Sequence, residues 1–341
     1  MIRVSLGDAM KPTICLLLTL LCCNQVFGQD YQVPRTEWGA PDFRGVWRYA
    51  TLMPFERPVE LGEKRTFTED EVLTIERAQQ QRFDNANNSI NLDPEAPPVA
   101  ESLPRVGNYD LFWRDEAQFI PTIGGEYRTS AIIDPPNGRM PPPVPEMSRR
   151  LNEAGAGESS AVDRVNDGPE GRSLAERCLV SVGNLSGPVL TPFNYNSNLQ
   201  IVQSPGFVVV IAEMVHDARV IRISDQRNPA AASHRKWMGD SIGRWDGDTL
   251  VVETKFFNLW HRFRGFPVDN LTVIESFRRQ GVNKIVYGFT VDDPTVFTAQ
   301  FSGEYPMSRI DQPLYEYACH EGNRAMLGIL AGARREDVES E

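Results

Sequence analysis

GFVVVIAEMVHDARVIRISDQRNPAAASHRKWMGDSIGRWDGDTLVVETKFF, residues 206–257, is the stretch whose reading decides the fold. Its apolar, β-branched runs break at His216-Asp217 and again at Asp246-Gly247, the second a dipeptide suited to a type I′ hairpin turn. Runs this short, bounded by turn residues, read as strands. Glu213, His216, Asp217, Arg219, Asp240 and Glu253 fall inside or beside them. A polar group on a strand meets solvent or enters a core, and in a core it is paired or changes its protonation.

Working outward, strands are predicted at about 199–204, 207–215, 218–224, 241–246, 249–257, 271–279, 283–291 and 296–305, with Pro205-Gly206 and residues 280–283 as turns. Short strands at regular spacing predict an antiparallel meander or up-and-down barrel, and Pro306 is expected to end the last of them. Asp42 to Trp47 supplies a first strand containing Gly-x-Trp. Thr68-Glu69-Asp70-Glu71 is a capping box for a helix over 69–83. An insertion of about 60–195 holds that helix, a loop from Asp84 to Arg105 and extended segments at 109–113 and 127–133. A proline-dense run at 134–142 and a short helical patch within 147–177 complete it. The tail, 320–341, carries a two-turn helix to Leu330 and an acidic end expected to fray. No repeat occurs at solenoid or propeller-blade spacing. The expectation is one mainly β, barrel-like domain over 29–341 with a long loop-rich insertion and short helices.

Residues 1–28 read as a cleaved export signal: Arg3 and Lys11, an apolar run from Ile14 to Leu21, then Val26-Phe27-Gly28. Starting at Met10 gives a signal of more usual length. The apolar run is too short for a membrane span, and Leu20-Leu21-Cys22-Cys23 lacks the small residue expected before a lipidated cysteine. The predicted location is periplasmic or secreted. Cleavage leaves Cys178 and Cys319, and an oxidising compartment makes one disulfide the default pairing, with two buried free thiols as the alternative. The formal net charge of −11, without a basic run, excludes nucleic acid and anionic lipid as natural partners. A small molecule is the expected partner.

The sequence has no P-loop, no dinucleotide glycine pattern, no Gly-x-Ser-x-Gly and no His-Glu-x-x-His. Candidate chemistry rests on isolated ionisable groups. If the strand from Phe207 runs past Glu213, alternation puts Glu213 and His216 on opposite faces, so one of them enters an apolar environment. His216, Asp217 and Arg219 then supply base, orienting carboxylate and charge stabiliser. If the strand ends near Val215, His216-Asp217 is an exposed turn. Asp240, after a glycine and before a strand, can aim a carboxylate into a barrel mouth, or bond its own turn backbone. His320-Glu321, next to Cys319, can complete an acid–base set. Glu213, Trp237, Trp47 and Glu253 are the expected substrate contacts. No cofactor is expected, although His216, His234, His261 and His320 with nearby carboxylates leave a divalent metal open.

Several motifs together resemble a large, uncharacterised family of secreted bacterial proteins. They are Pro41-Asp42-Phe43-Arg44-Gly45-Val46-Trp47, the run Arg128 to Arg139, Glu213-Met214-Val215-His216-Asp217-Ala218-Arg219, Trp237 to Thr254, and Tyr315 to Asn323. They span nearly the whole mature chain, and the resemblance implies export. A looser resemblance to lipocalins, carried by Gly-x-Trp and the meander, implies a barrel plugged at one end by the tryptophan. Three functions follow as expectations: an acid–base enzyme (lyase, isomerase or hydrolase) on a small aromatic or sugar-like compound, a periplasmic ligand carrier, and a structural or protein-binding envelope component.

Overall fold

The computed structural model describes residues 31–88, 117–162, 166–182, 185–193, 195–321 and 324–340. The proposed signal and the segment 109–113 lie outside these residues. In chain order the strands begin with β1 (Gly45–Arg48), β2 (Thr66–Phe67), β3 (Tyr127–Arg128) and β4 (Ile132–Asp134). The main series is β5 (Asn198–Ser204), β6 (Phe207–Ala212), β7 (Ala218–Ile223), β8 (Asp240–Asp246) and β9 (Thr249–Lys255). A small hairpin, β10 (Arg262–Phe263) and β11 (Phe266–Pro267), precedes β12 (Thr272–Gly281), β13 (Lys284–Asp292) and β14 (Phe301–Ile310). The helices are α1 (Glu69–Asn88), α2 (Pro145–Val162) and α3 (Ala325–Ser340).

Nine strands close into a barrel in the order β1-β5-β6-β7-β8-β9-β12-β13-β14, with β14 returning to β1. A ring with an odd number of strands cannot alternate direction all the way round, so one neighbouring pair must be parallel. That pair is β7 and β8, where Ile221 faces Ser241. Parallel neighbours cannot be joined by a tight turn, and residues 224–239 make the crossover. It includes a 3-10 turn over Pro229–Ala232, capped where Ala230 N donates 3.0 Å to Asn228 Oδ1. The uninterrupted antiparallel meander read from the sequence is corrected here.

Other boundaries shift for identifiable reasons. β6 stops at Ala212, and Met214–His216 forms a 3-10 turn with Val215 and His216 at φ 60° and 47°. The β8–β9 loop is Gly247-Asp248, closed by Asp246 opposite Thr249. Of its two central residues only Gly247 has positive φ, the II′ pattern and not the I′ pattern read from Asp246-Gly247. β14 runs straight through Pro306. Glu304 N donates to Ala131 O, away from β13, so the proline nitrogen two residues on points to the same side. That side is unpaired there, because β4 ends its contacts at Gly303 and β1 begins at Ser308. The capping box forms as read, Glu71 N donating 3.3 Å to Thr68 Oγ1 and Thr68 N donating 2.8 Å to Glu71 Oε2. α1 runs on to Asn88, so the start of the expected 84–105 loop is helical. α3 is twice the expected length and takes in the acidic end.

Strand alternation turns Trp47, Leu199, Val210, Ile221, Val252, Phe277, Phe289 and Tyr305 into the barrel, all buried. One end is plugged. Trp47 donates its indole N–H to Phe43 O at 2.8 Å, and Gln203 ties the same segment by accepting from Phe43 N at 2.6 Å. The Arg279 guanidinium lies 5.2 Å from the Trp47 ring centroid and donates to Asp42 O at 2.8 Å. Trp47, expected among the substrate contacts, is thus wholly enclosed in the plug, because the first strand pairs between β14 and β5 with this face inward. Cys178 and Cys319 form a disulfide (Cα–Cα 5.9 Å) that closes a long loop and ties the C-terminal segment to the other end.

Trp47→Ala is expected to cost about 3–5 kcal/mol, read from urea unfolding. Replacing Cys178 and Cys319 together by serine is expected to remove about 2–5 kcal/mol.

Candidate functional site

The end opposite the plug collects the polar interior. Arg219 on β7, Ser241 on β8, Thr254 on β9, Glu275 on β12 and Tyr287 on β13 all take inward positions and are buried. Arg219 makes a forked ion pair with Glu275, Nη2 donating to Oε1 at 2.9 Å and Nη1 bonding Oε2. Tyr287 Oη donates to the same carboxylate at 3.0 Å. Ser241 and Thr254 share a 2.8 Å hydrogen bond, and Thr254 Oγ1 accepts from Arg219 at 3.4 Å. Burial, then the charge of Glu275, pushes the Tyr287 hydroxyl well above its ordinary range, so it is a fixed donor at neutral pH. Burial opposes the Arg219 charge, but Glu275 overcomes it and holds the guanidinium above its usual pKa. Leu190 N donates 3.1 Å to Tyr287 Oη, and buried Val189 and Leu190 seal the cluster. Among the expected site residues Arg219 enters the lumen at this end, and Trp47 enters it at the plug.

The others are distributed around this end. Glu213 is buried in the turn after β6 and accepts from Asn196 Nδ2 (2.8 Å), Asn198 Nδ2 (3.2 Å) and Tyr315 N (3.1 Å), anchoring the C-terminal segment. His216 is exposed in the same turn, which ends the alternation that was to set it opposite Glu213. Asp217 is half-buried and accepts from Ser186 Oγ at 3.3 Å. Burial raises its carboxyl to about 6, against the opposing effects of Ser186 and of the His216 charge. Asp240 is buried but points out of the barrel, because alternation gives the inward place to its neighbour Ser241. It pairs with Arg227 (2.8 Å), Arg222 (3.4 Å) and Lys236 (3.7 Å). Glu253 joins it through Arg227 (2.9 Å). Burial works against the Glu253 charge, yet Arg227 and Lys255 hold its pKa below the usual value. This outer network clamps the 224–239 crossover to β8 and β9 and leaves Asp240 out of the mouth. Trp237 is half-buried in that crossover; His320 and Glu321 are exposed beyond the disulfide.

A pocket of about 420 Å³ opens at the same end, lined by Val180, Ser181, Arg177, Trp260, His261 and Arg262 among others. Ser181 Oγ accepts from Ser186 N at 3.0 Å, and Ser186 in turn bonds Asp217, so the pocket wall connects to the Asp217 carboxyl through two serines. His261 is 1% exposed, stacks on Phe257 with centroids 6.0 Å apart, and has no hydrogen-bond partner at either ring nitrogen among the described residues. Burial, then the Arg262 charge, lowers its pKa to about 4, so the imidazole is neutral at physiological pH. Orphaned buried polar atoms cost about 1–3 kcal/mol each, and a group bonded to them would recover part of it. At the plugged end a second pocket of about 380 Å³ is aromatic, with Trp38, Phe207 and Trp245 in its wall.

Among the described residues no group of three or more His, Cys, Asp or Glu is placed to hold a metal ion, and no helix is long and apolar enough to cross a membrane. Sequence reasoning passes over Glu275, although Val273, Glu275, Phe277 and Arg279 show the period-2 pattern of an inward face. It counted His261 only among scattered histidines, since nothing local marks Leu259-Trp260-His261 as a pocket wall. No family model matches the chain, and no curated protein matches it.

Glu275→Gln is expected to cost about 3–5 kcal/mol by leaving Arg219 uncompensated, whereas Arg219→Met with Glu275→Met costs less than either single change; a double-mutant cycle by urea unfolding checks this. His261, with a folded pKa below its unfolded value, withdraws stability as pH falls from about 6.5 to 4. Asp217, with a folded pKa above its unfolded value, withdraws stability as pH rises from about 3.9 to 6. Thermal melts should therefore show His261→Phe flattening the acid side of the profile, and Asp217→Asn gaining on wild type above pH 6.

Proposed function

We propose that the protein is an exported carrier of a small organic molecule, held in the pocket beside Trp260 and His261. The observation that carries this reading is His261, buried in the wall of a pocket with both ring nitrogens unpaired among the described residues. Ligand sites combine apolar walls with a few placed polar groups, and Val180 and Trp260 beside Ser181 and His261 fit that description. Export is supported by the disulfide, since such bonds persist in oxidising compartments. Membership of the secreted bacterial family rests on the motifs from Pro41 to Asn323. Binding without turnover is favoured because the expected acid–base set is dispersed: Arg219 is sealed in the lumen, Asp240 faces outward, and His216 and His320 are exposed.

An acid–base enzyme (lyase, isomerase or hydrolase) on a small aromatic or sugar-like compound is the second reading. One observation favours it: Asp217, with its pKa raised to about 6, connects through Ser186 and Ser181 to the wall that holds His261. That arrangement would put a carboxyl able to hold or release a proton behind the wall that carries a neutral imidazole.

A screen of small aromatic and sugar-like compounds by thermal shift, followed by NMR of each hit with stoichiometric protein, separates the two. The carrier reading expects hits whose spectra stay unchanged over hours and whose affinity falls about tenfold or more in Trp260→Ala. Chemical conversion that is lost in Asp217→Asn transfers the assignment to the enzyme. Hits unaffected by Trp260→Ala remove the pocket from both.

A further inference from the structure

The lining of the same pocket has an excess of positive charge, opposite in sign to the chain as a whole. The chain is strongly acidic, with a formal net charge of −11, yet Arg172, Arg177 and Arg262 line this pocket against Glu170 alone. Arg172 is committed, donating to Asn166 Oδ1 at 2.8 Å and pairing with Glu176. Arg262 donates only to the carbonyls of Leu259 (2.9 Å) and His261 (2.8 Å), so no carboxylate among the described residues neutralises it. Arg177 makes no ion pair among the described residues; its backbone N–H donates to Ser173 O. Two guanidinium charges thus stand beside an apolar wall.

The second, independent observation is His261 itself. A neutral imidazole carries one donor and one acceptor, and both are orphaned at 1% exposure. His261 lines the pocket beside Trp260, which is 67% exposed. A planar ring has the Trp260 face to stack on, and a carboxylate matches the fork of a guanidinium.

We infer that the pocket takes an aromatic carboxylate, its acid group held by Arg177 and Arg262, its ring against Trp260, and a ring hydroxyl paired with His261. This rests on the reading of the pocket as the binding site and adds the chemical class of what it binds.

The test is isothermal titration of the full disulfide-bonded chain with 4-hydroxybenzoate, benzoate and their neutral counterparts 4-hydroxybenzamide and benzamide. The acids are expected to bind at least tenfold tighter than the amides, and their binding is expected to weaken as sodium chloride is raised. 4-Hydroxybenzoate should exceed benzoate, with the difference lost in His261→Phe. Arg177→Gln and Arg262→Gln should each cost the acids about tenfold and the amides less than twofold. Because Arg262 also holds its own turn through two carbonyls, Arg262→Lys serves as the second variant: it keeps the charge and should retain most of the preference for acids. Acids and amides binding alike, with affinity still lost in Trp260→Ala, would overturn the anionic class and leave the pocket standing. No heat from any of the four, or binding indifferent to Trp260→Ala and both arginine variants, would overturn the class and the pocket together.

Discussion

Closing a ring of nine strands is the constraint from which the rest follows. With an odd count one pair must run parallel, and a parallel pair demands a long connection outside the sheet. The crossover at 224–239 answers that demand and needs its own attachment. Arg227 provides it, reaching Asp240 and the Glu253 carboxylate across two strands. The most polar part of the decisive sequence stretch is therefore spent on holding a connection in place.

The barrel interior meets a second demand at the opposite face of the same strands. Arg219 enters the lumen because β7 alternates, and a buried guanidinium is tolerable only beside a paired carboxylate. Glu275, more than fifty residues on, supplies it, with Tyr287 filling a further acceptor position and the Leu190 amide closing the stack. This assembly specifies register across β7, β9, β12 and β13. It leaves Arg219, Glu275 and Tyr287 bonded to one another within the lumen. At the outer mouth the turn after β6, residues 178–182 and 185–190, the disulfide and the turn before β10 meet. Positive φ at Cys178, Val215, His216 and Phe256 concentrates there, and such backbone states persist where surrounding structure holds them.

Much of the barrel was legible. The strand runs, the capping box at Thr68–Glu71 and the Cys178–Cys319 pairing follow from alternation, local capping chemistry and counting thiols, and the tryptophan plug is what the resemblance to lipocalins implies. These depend on neighbours in the chain or on pattern alone. The candidate site was legible only in part. The sequence puts either Glu213 or His216 in an apolar environment without saying which, and the turn at Met214–His216 breaks the alternation, burying Glu213 in the turn and leaving His216 exposed. The sequence leaves Asp240 either aimed into the mouth or bonded to its own turn, and one residue of phase at the start of β8 sends it outward to the arginines instead.

By itself the sequence determined the class of fold, because strand period, turn residues and the position of Gly-x-Trp are local quantities that the chain states directly. It also determined the redox pairing, since only two cysteines follow the expected signal. Tertiary structure alone decided which strands run parallel, which side of each strand faces the lumen, and which distant residues meet. Arg219 finds Glu275, Asp217 finds Ser186, and His261 is enclosed without a partner. Pairing across long separations depends on ring closure and register, and neither is written in any one segment.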